Sequence, residues 1–271
     1  MEFIKAIVLG IVQGLTEFLP ISSSGHLVIG SELLNFHDPG ISFEVFLHLG
    51  TLIAVVIAFH SDLQAMVAAL FSSRRQRQAD PELNRAFLWN CYIILATLPA
   101  VVVGLFLKDH IERIFDNILV TFTMLAFTGL IMVITTKLPR GKGGLSGSRA
   151  VLIGTAQAMA ILPGLSRSGS TIFTGMALGV QRETAARFSF IMSIPAILGA
   201  AVLKLGDLLS SPLSQGQAWQ LLVGTAASVI SGYFAIIVLM QVVRRGRLHW
   251  FGYYCFCLSA AGFLWYFFRG A

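Results

Sequence analysis

The chain has 271 residues, of which 56% are hydrophobic and only 12% charged, and its formal net charge is +6. A soluble protein carries about twice that charged fraction, so a water-soluble globular domain is excluded and a polytopic membrane protein is expected. The positive charge lies in short loops between apolar runs, which argues against a nucleic-acid-binding surface and for basic loops at a membrane face.

Residues 1–35 are apolar but interrupted by Gly, Pro and Ser. Broken backbone at membrane depth survives only where protein or a water-filled cavity covers it, so this region is expected to form a re-entrant helix–loop–helix. It is not expected to be a cleavable signal, because Lys5 stands alone and no small-residue cleavage site follows. Apolar runs at 43–60, 85–107 and 117–138 come next, each about long enough to cross a bilayer. The Gly-rich stretch Lys137 to Arg149 (KLPRGKGGLSGSR) has no Gly-Lys-Ser/Thr and is no nucleotide loop. Residues 139–149 read instead as a linker between halves of about 1–140 and 149–271 within one integral membrane domain. A second broken element spans 149–180, followed by runs at 187–206, 218–243 and 250–268. The expected fold class is all-α polytopic membrane protein, with six transmembrane helices plus two re-entrant elements. Cys91, Cys255 and Cys257 lie in predicted spans without metal-type spacing and are expected to pack.

The two broken elements are copies. Gly10 to Gly25 (GIVQGLTEFLPISSSG) and Gly154 to Gly169 (GTAQAMAILPGLSRSG) match at an offset of 144, with Gly10/Gly154, Gln13/Gln157, Ser22/Ser166, Ser24/Ser168 and Gly25/Gly169 identical. Phe43 to Leu52 loosely parallels Phe188 to Ile197. Three spans follow each element, an odd number, which inverts the second half relative to the first. The basic loops at 73–85, 137–149 and 244–249, with Arg182 and Arg187, then fall on one side and collect 13 of the 19 Lys and Arg residues. Lys5, Lys108, Arg113, Lys204 and Arg269 fall on the other, leaving Arg167 inside. The positive-inside rule makes the first side cytoplasmic. The loop tips, entering from opposite faces, are expected to meet near the midplane, as in many transporters.

Charges on broken intramembrane segments are costly unless they face one another or a polar ligand. Gln13 and Glu17, four apart on a helix, share a face. One carboxylate and one amide oxygen suit Mg²⁺ or Ca²⁺, with water and phosphate completing the shell; a hydrogen-bonded polar pair is the plainer alternative. Pro20 ends that helix, and Ser22-Ser23-Ser24-Gly25-His26 offers hydroxyls and backbone N–H groups to an anion. A hydroxyl three residues before His26 is within reach of a nucleophile–base pairing. The second tip, Pro163 to Thr171, holds Arg167, whose fork suits phosphate, flanked by Ser166, Ser168, Gly169 and Thr171. A structural Arg167–Glu17 salt bridge is compatible with that reading. Glu44 is placed at the site's rim, His48 is expected to be an ordinary interior histidine, and Arg182, Glu183 and Arg187 the solvated start of a helix.

At these residues the chain resembles the undecaprenyl-diphosphate phosphatase family, also called bacitracin-resistance proteins, over essentially its full length. The family's marks are an (E/Q)-x-x-x-E stretch, a Pro-x-Ser-Ser-x-Gly-His segment and a Pro-Gly-x-Ser-Arg-Ser-x-x-Thr segment. They stand here as Gln13–Glu17, Pro20–His26 and Pro163–Thr171. The resemblance implies metal-dependent hydrolysis of undecaprenyl diphosphate to undecaprenyl phosphate and inorganic phosphate, recycling the lipid carrier of cell-wall synthesis. It also implies the bacterial cytoplasmic membrane, with a site opening to the outer face. Carried over by position, Glu17, Ser23, His26 and Arg167 are the catalytic candidates. Ser22, Gly25, Ser166, Arg167, Ser168, Gly169 and Thr171 are the substrate-binding candidates, and Gln13 and Glu17 the ligands of Mg²⁺ or Ca²⁺. Gln13 replaces a Glu and, as an amide, serves only as ligand or orienter.

Ser23 is the candidate nucleophile, with His26 or Glu17 taking its proton; attack by metal-bound water is the competing route. The expected partners are a polyprenyl diphosphate and membrane lipid, and no nucleic acid; a homo-oligomer is compatible with such a chain. The type 2 phosphatidic acid phosphatases are excluded because Phe173 stands where their nucleophilic His belongs. A polyprenyl-phosphate flippase or anion transporter is the alternative suggested by the repeat, at the level of fold analogy alone.

Overall fold

The computed structural model describes residues 2–34, 36, 42–106, 117–210 and 215–269, without the side chains of residues 32, 42, 203–210 and 269. Lys108 and Arg113 lie outside the described residues, as do the side chains of Lys204 and Arg269. Among the described residues the regular elements are all helical, apart from one isolated bridge between Gly143 and Val180.

Helix α1 (Glu2–Phe18) buries Ala6, Leu9, Gly10, Gln13, Gly14 and Glu17, a stripe spaced by three and four residues as one helical face requires. Ile4, Ile7, Ile11 and Leu15 are exposed on the other side, which suits lipid. Pro20 cannot donate to a helix, so the chain breaks and restarts as α2 (Ser23–Leu33). Helix α3 (Ser42–Ala58) then turns by 80° at Phe59 into α4 (His60–Leu70). A Ser73–Gln76 capping box opens α5 (Arg74–Ala79). The Asp80 carboxylate accepts the Glu82 and Leu83 N–H groups and opens α6 (Pro81–Phe106). Asn117 caps α7 (Ile118–Ile134).

The second half also opens on two short helices and, among the described residues, has no counterpart of α4 or α5. Ser146 caps α8 (Gly147–Met159) and Ser166 caps α9 (Arg167–Ala177). After them come α10 (Arg182–Ser210), α11 (Gln215–Arg245) and α12 (His249–Arg269). The linker docks by backbone pairing: the Gly143 N–H donates to Gly179 C=O at 3.0 Å, and the Gln181 N–H to Gly143 C=O at 3.0 Å.

Helices α6, α7, α10, α11 and α12 are each long and apolar enough to cross a membrane, and the bent α3–α4 pair makes a sixth candidate. The run expected at 43–60 therefore ends at Ala58. Phe59 stays buried against Phe190 at a centroid distance of 5.8 Å, while the polar His60, Ser61 and Asp62 turn away. Asp62 pairs with Arg187 at 3.1 Å, so that arginine is anchored rather than simply solvated. Arg244 pairs with Glu183 at 3.1 Å in the same way.

The halves interlock. Helix α1 packs on α11, and its counterpart α8 packs on α6, so the second span of each half covers the broken element of the other. Small residues allow this approach: a Cβ at Gly10 would strike the Gly224 carbonyl, and one at Gly154 the Ala96 backbone. Helices α3 and α10 touch each other, as do α7 and α12. Below the broken elements, Phe18 packs edge-on against Phe190 at 5.5 Å.

Candidate active site

The two breaks place the amino ends of α2 and α9 side by side, and aligned peptide dipoles favour negative charge at such ends. Contact between the tips is direct. Ser168 Oγ donates to the Leu19 carbonyl at 3.3 Å. A Cβ at Gly169 would lie 3.2 Å from Pro20 Cβ, so the glycine keeps room for the approach. Thr128 on α7 anchors the second tip, donating to Gly164 C=O and accepting from the Ser166 N–H, both at 3.0 Å.

Glu17 is the hub. It is 8% exposed and bonded through both carboxylate oxygens. Arg167 Nη2 donates to Oε1 at 2.5 Å. Oε2 accepts from Ser23 Oγ at 2.7 Å and from Gln13 Nε2 at 3.0 Å. His48 Nε2 stands 3.6 Å from the same oxygen. A buried carboxylate so close to a guanidinium is stable only because donors surround it. Arg167 is steadied at its other nitrogen by the Ser189 carbonyl, at 3.4 Å.

The sequence candidates divide into two groups. Gln13, Glu17, Ser23 and Arg167 form one bonded cluster. Ser22 and Ser24 pair at 3.2 Å, and Ser166 and Ser168 repeat that pair at 3.2 Å in the other tip. Thr171 is turned inward, donating to the Arg167 carbonyl at 2.8 Å and meeting Ser189 Oγ at 2.6 Å. Gly25 lies against Thr121 and Leu125 of α7. His26 is not bonded to Ser23: its Nδ1 lies 2.7 Å from Ser22 O and its Nε2 2.7 Å from Tyr254 Oη.

Three residues at the site were not among the sequence's site candidates. His48 is beside Glu17 rather than an ordinary interior histidine; its segment is one the repeat marks as shared between the halves. Ser189 lies in the matching segment of the second half. Tyr254 on α12 carries no motif, and only the fold brings it to His26.

For a divalent cation, Gln13 Oε1 is the relevant atom: it is buried and has no hydrogen-bond partner. Together with the Glu17 carboxylate it forms the hard-oxygen pair such an ion takes. No group of three His, Cys, Asp or Glu side chains exists among the described residues to hold an ion alone. A cation here therefore needs substrate oxygens and water to complete its shell.

A sequence model of the bacitracin resistance protein BacA family matches residues 6–261. The chain is 42% identical to the undecaprenyl-diphosphatase of Rubrobacter xylanophilus, over 96% of this chain and 97% of that one. It is 42% identical to that of Desulfosudis oleivorans, again over 96% and 97%. Against that of Desulforapulum autotrophicum it is 38% identical over 96% of each. The chain, with the paired broken helices and intramembrane charges described above, belongs to the bacitracin resistance protein BacA family.

Proposed function

We propose that this protein hydrolyses undecaprenyl diphosphate to undecaprenyl phosphate and inorganic phosphate in the bacterial cytoplasmic membrane, recycling the lipid carrier of cell-wall synthesis. The observation that carries this reading is Glu17, bonded at once to a hydroxyl, Ser23, and to a guanidinium, Arg167. The relatives' activity, that of an undecaprenyl-diphosphatase, supports the substrate.

In this mechanism the diphosphate enters between the tips with its tail in lipid. The halves stand inverted and the site opens to the outer face. Arg167 releases one carboxylate oxygen and turns its fork to the phosphates, beside the amino ends of α2 and α9. Gln13 and Glu17 would hold a Mg²⁺ or Ca²⁺, which when bound offsets charge on the diphosphate. Ser23 Oγ attacks the terminal phosphorus while its proton passes to Glu17 Oε2. The bond from that phosphorus to the bridging oxygen breaks, and the electron pair leaves with undecaprenyl phosphate. Water then attacks the phosphoserine, the P–Oγ bond breaks, and the proton returns to Ser23 as phosphate departs.

The test is phosphate release from a long-chain polyprenyl diphosphate by the purified protein in detergent, with and without Mg²⁺ or Ca²⁺. Glu17→Ala and Arg167→Ala proteins of verified fold serve as controls. Metal-dependent release lost in both supports the reading. A folded wild-type protein that releases nothing would reassign the same residues to lipid-phosphate transport.

A further inference from the structure

The two tips start their second helices in the same way and differ at the residue that leads each of them. Helices α2 and α9 begin at equivalent residues, Ser23 and Arg167, and the serine pair before each helix has the same spacing of 3.2 Å. The fourth residue after each leading serine returns its backbone N–H to that serine's carbonyl: His26 to Ser22 at 3.4 Å, Ser170 to Ser166 at 2.9 Å. Yet Ser166 has φ −66°, whereas Ser22 has φ +68° and is the one positive-φ non-glycine among the described residues. Left-handed backbone brings an L-residue's Cβ against the carbonyl oxygen and must be held by its surroundings.

What holds it is present in the first tip alone. His26 Nδ1 lies 2.7 Å from the Ser22 carbonyl oxygen. A carbonyl only accepts, so Nδ1 carries the proton. The neutral ring then presents its lone pair at Nε2, and Tyr254 Oη, 2.7 Å away, donates to it. Tyr254 belongs to α12, outside the loop it steadies, and its ring stacks on the imidazole with an interplanar angle of 11°. The second tip carries Ser170 where the first carries His26, and its leading serine is unstrained. Strain and imidazole thus occur together, one residue before the hydroxyl that donates to Glu17.

We propose that Tyr254 is a positioning residue: through the Nδ1–H form of His26 it holds Ser22 left-handed and aims Ser23 at Glu17. His26 is then a backbone tether and not the base that takes the Ser23 proton. The second half of this inference rests on Ser23 being the reacting hydroxyl, as proposed above; the tether itself does not.

Two measurements test it. In ¹⁵N-histidine-labelled protein, with the His26 signals identified by their loss in His26→Gln, Nδ1 is expected protonated and Nε2 bare, and Tyr254→Phe is expected to mix the two forms. A wild-type ring protonated at Nε2 alone overturns the tether whether or not the protein turns over substrate. The second is a double-mutant cycle on phosphate release. Tyr254→Phe is expected to lower kcat about tenfold with KM within about twofold. Ser22→Gly relieves the left-handed strain, and in that background Tyr254→Phe is expected to cost less than about twofold, with much of the His26→Gln loss recovered. Ser22→Asn is a second background, because Asn also visits this region. If His26→Gln costs as much in both backgrounds as in wild type, His26 acts on the reaction directly and the proposal falls. Absence of phosphate release by the wild type would instead count against the hydrolase reading, leaving the nitrogen signals to decide the tether.

Discussion

Ser23 and Arg167 occupy the same place in the two halves, 144 residues apart, and each donates to a different oxygen of the Glu17 carboxylate. Each is the first residue of the helix that follows its break. One repeated backbone device therefore delivers a hydroxyl from one side and a guanidinium from the other. The copies differ at this position, Ser23 against Arg167, and at the acceptor itself, Glu17 against Ile161.

Removing Arg167 has two consequences that can be separated. Arg167→Ala leaves a buried carboxylate without its cation, a loss of about 3–5 kcal/mol when a buried pair is broken one-sidedly. Activity is expected to fall by at least about a hundredfold, the scale of a lost transition-state donor. Arg167→Lys retains charge but not the fork, and is also expected to be poor. Phosphate release and thermal unfolding in detergent read the two effects, and near-wild-type turnover by Arg167→Lys would remove the bidentate-phosphate argument.

Ser23→Ala separates the covalent route from direct attack by water. On the covalent route turnover is expected to fall by about three orders of magnitude, with substrate still retained. Rapid acid quench of the wild type should trap phosphate on Ser23. Full turnover by Ser23→Ala would place the attack on water.

Glu17→Gln keeps the shape of the site and removes its charge. Turnover is expected to drop, and the remaining activity should respond weakly to Mg²⁺ or Ca²⁺, because one of the two oxygen ligands loses its charge. Titration with the cation after chelator treatment, wild type against variant, measures this. An unchanged metal response would detach Glu17 from the ion.

His48, 3.6 Å from Glu17 Oε2, should be energetically coupled to it. His48→Gln is expected to lower turnover less than Glu17→Gln does. The double variant should depart from additivity by about 0.5–3 kcal/mol, as groups in contact do. Strict additivity in the kinetic cycle would make His48 a bystander.

Thr128→Val tests whether the second tip depends on its anchor. The change is close to isosteric, but it orphans the Ser166 N–H and the Gly164 carbonyl. Each unsatisfied buried group costs about 1–3 kcal/mol. A lower unfolding temperature is expected together with reduced turnover, since Arg167 follows Ser166 directly. A variant as stable as wild type would show that water replaces both bonds.

The sequence alone determined the membrane class, the two broken elements and the residues Gln13, Glu17, Ser23 and Arg167. Apolar runs, Pro–Ser–Gly breaks and intramembrane charge are local signals, and the 144-residue offset ties the elements together. It did not reveal that the run at 43–60 bends after Ala58, because that turn depends on Phe59 meeting Phe190 and on Asp62 meeting Arg187. Nor did spacing choose the partner of Ser23. His26 is nearer in sequence, but the backbone at Ser22 turns its ring to the Ser22 carbonyl and Tyr254, while the hydroxyl goes to Glu17. Hydrogen-bond pairing depends on direction across the break, and direction at a left-handed residue is set by the packing of α12, which begins more than 200 residues away in sequence.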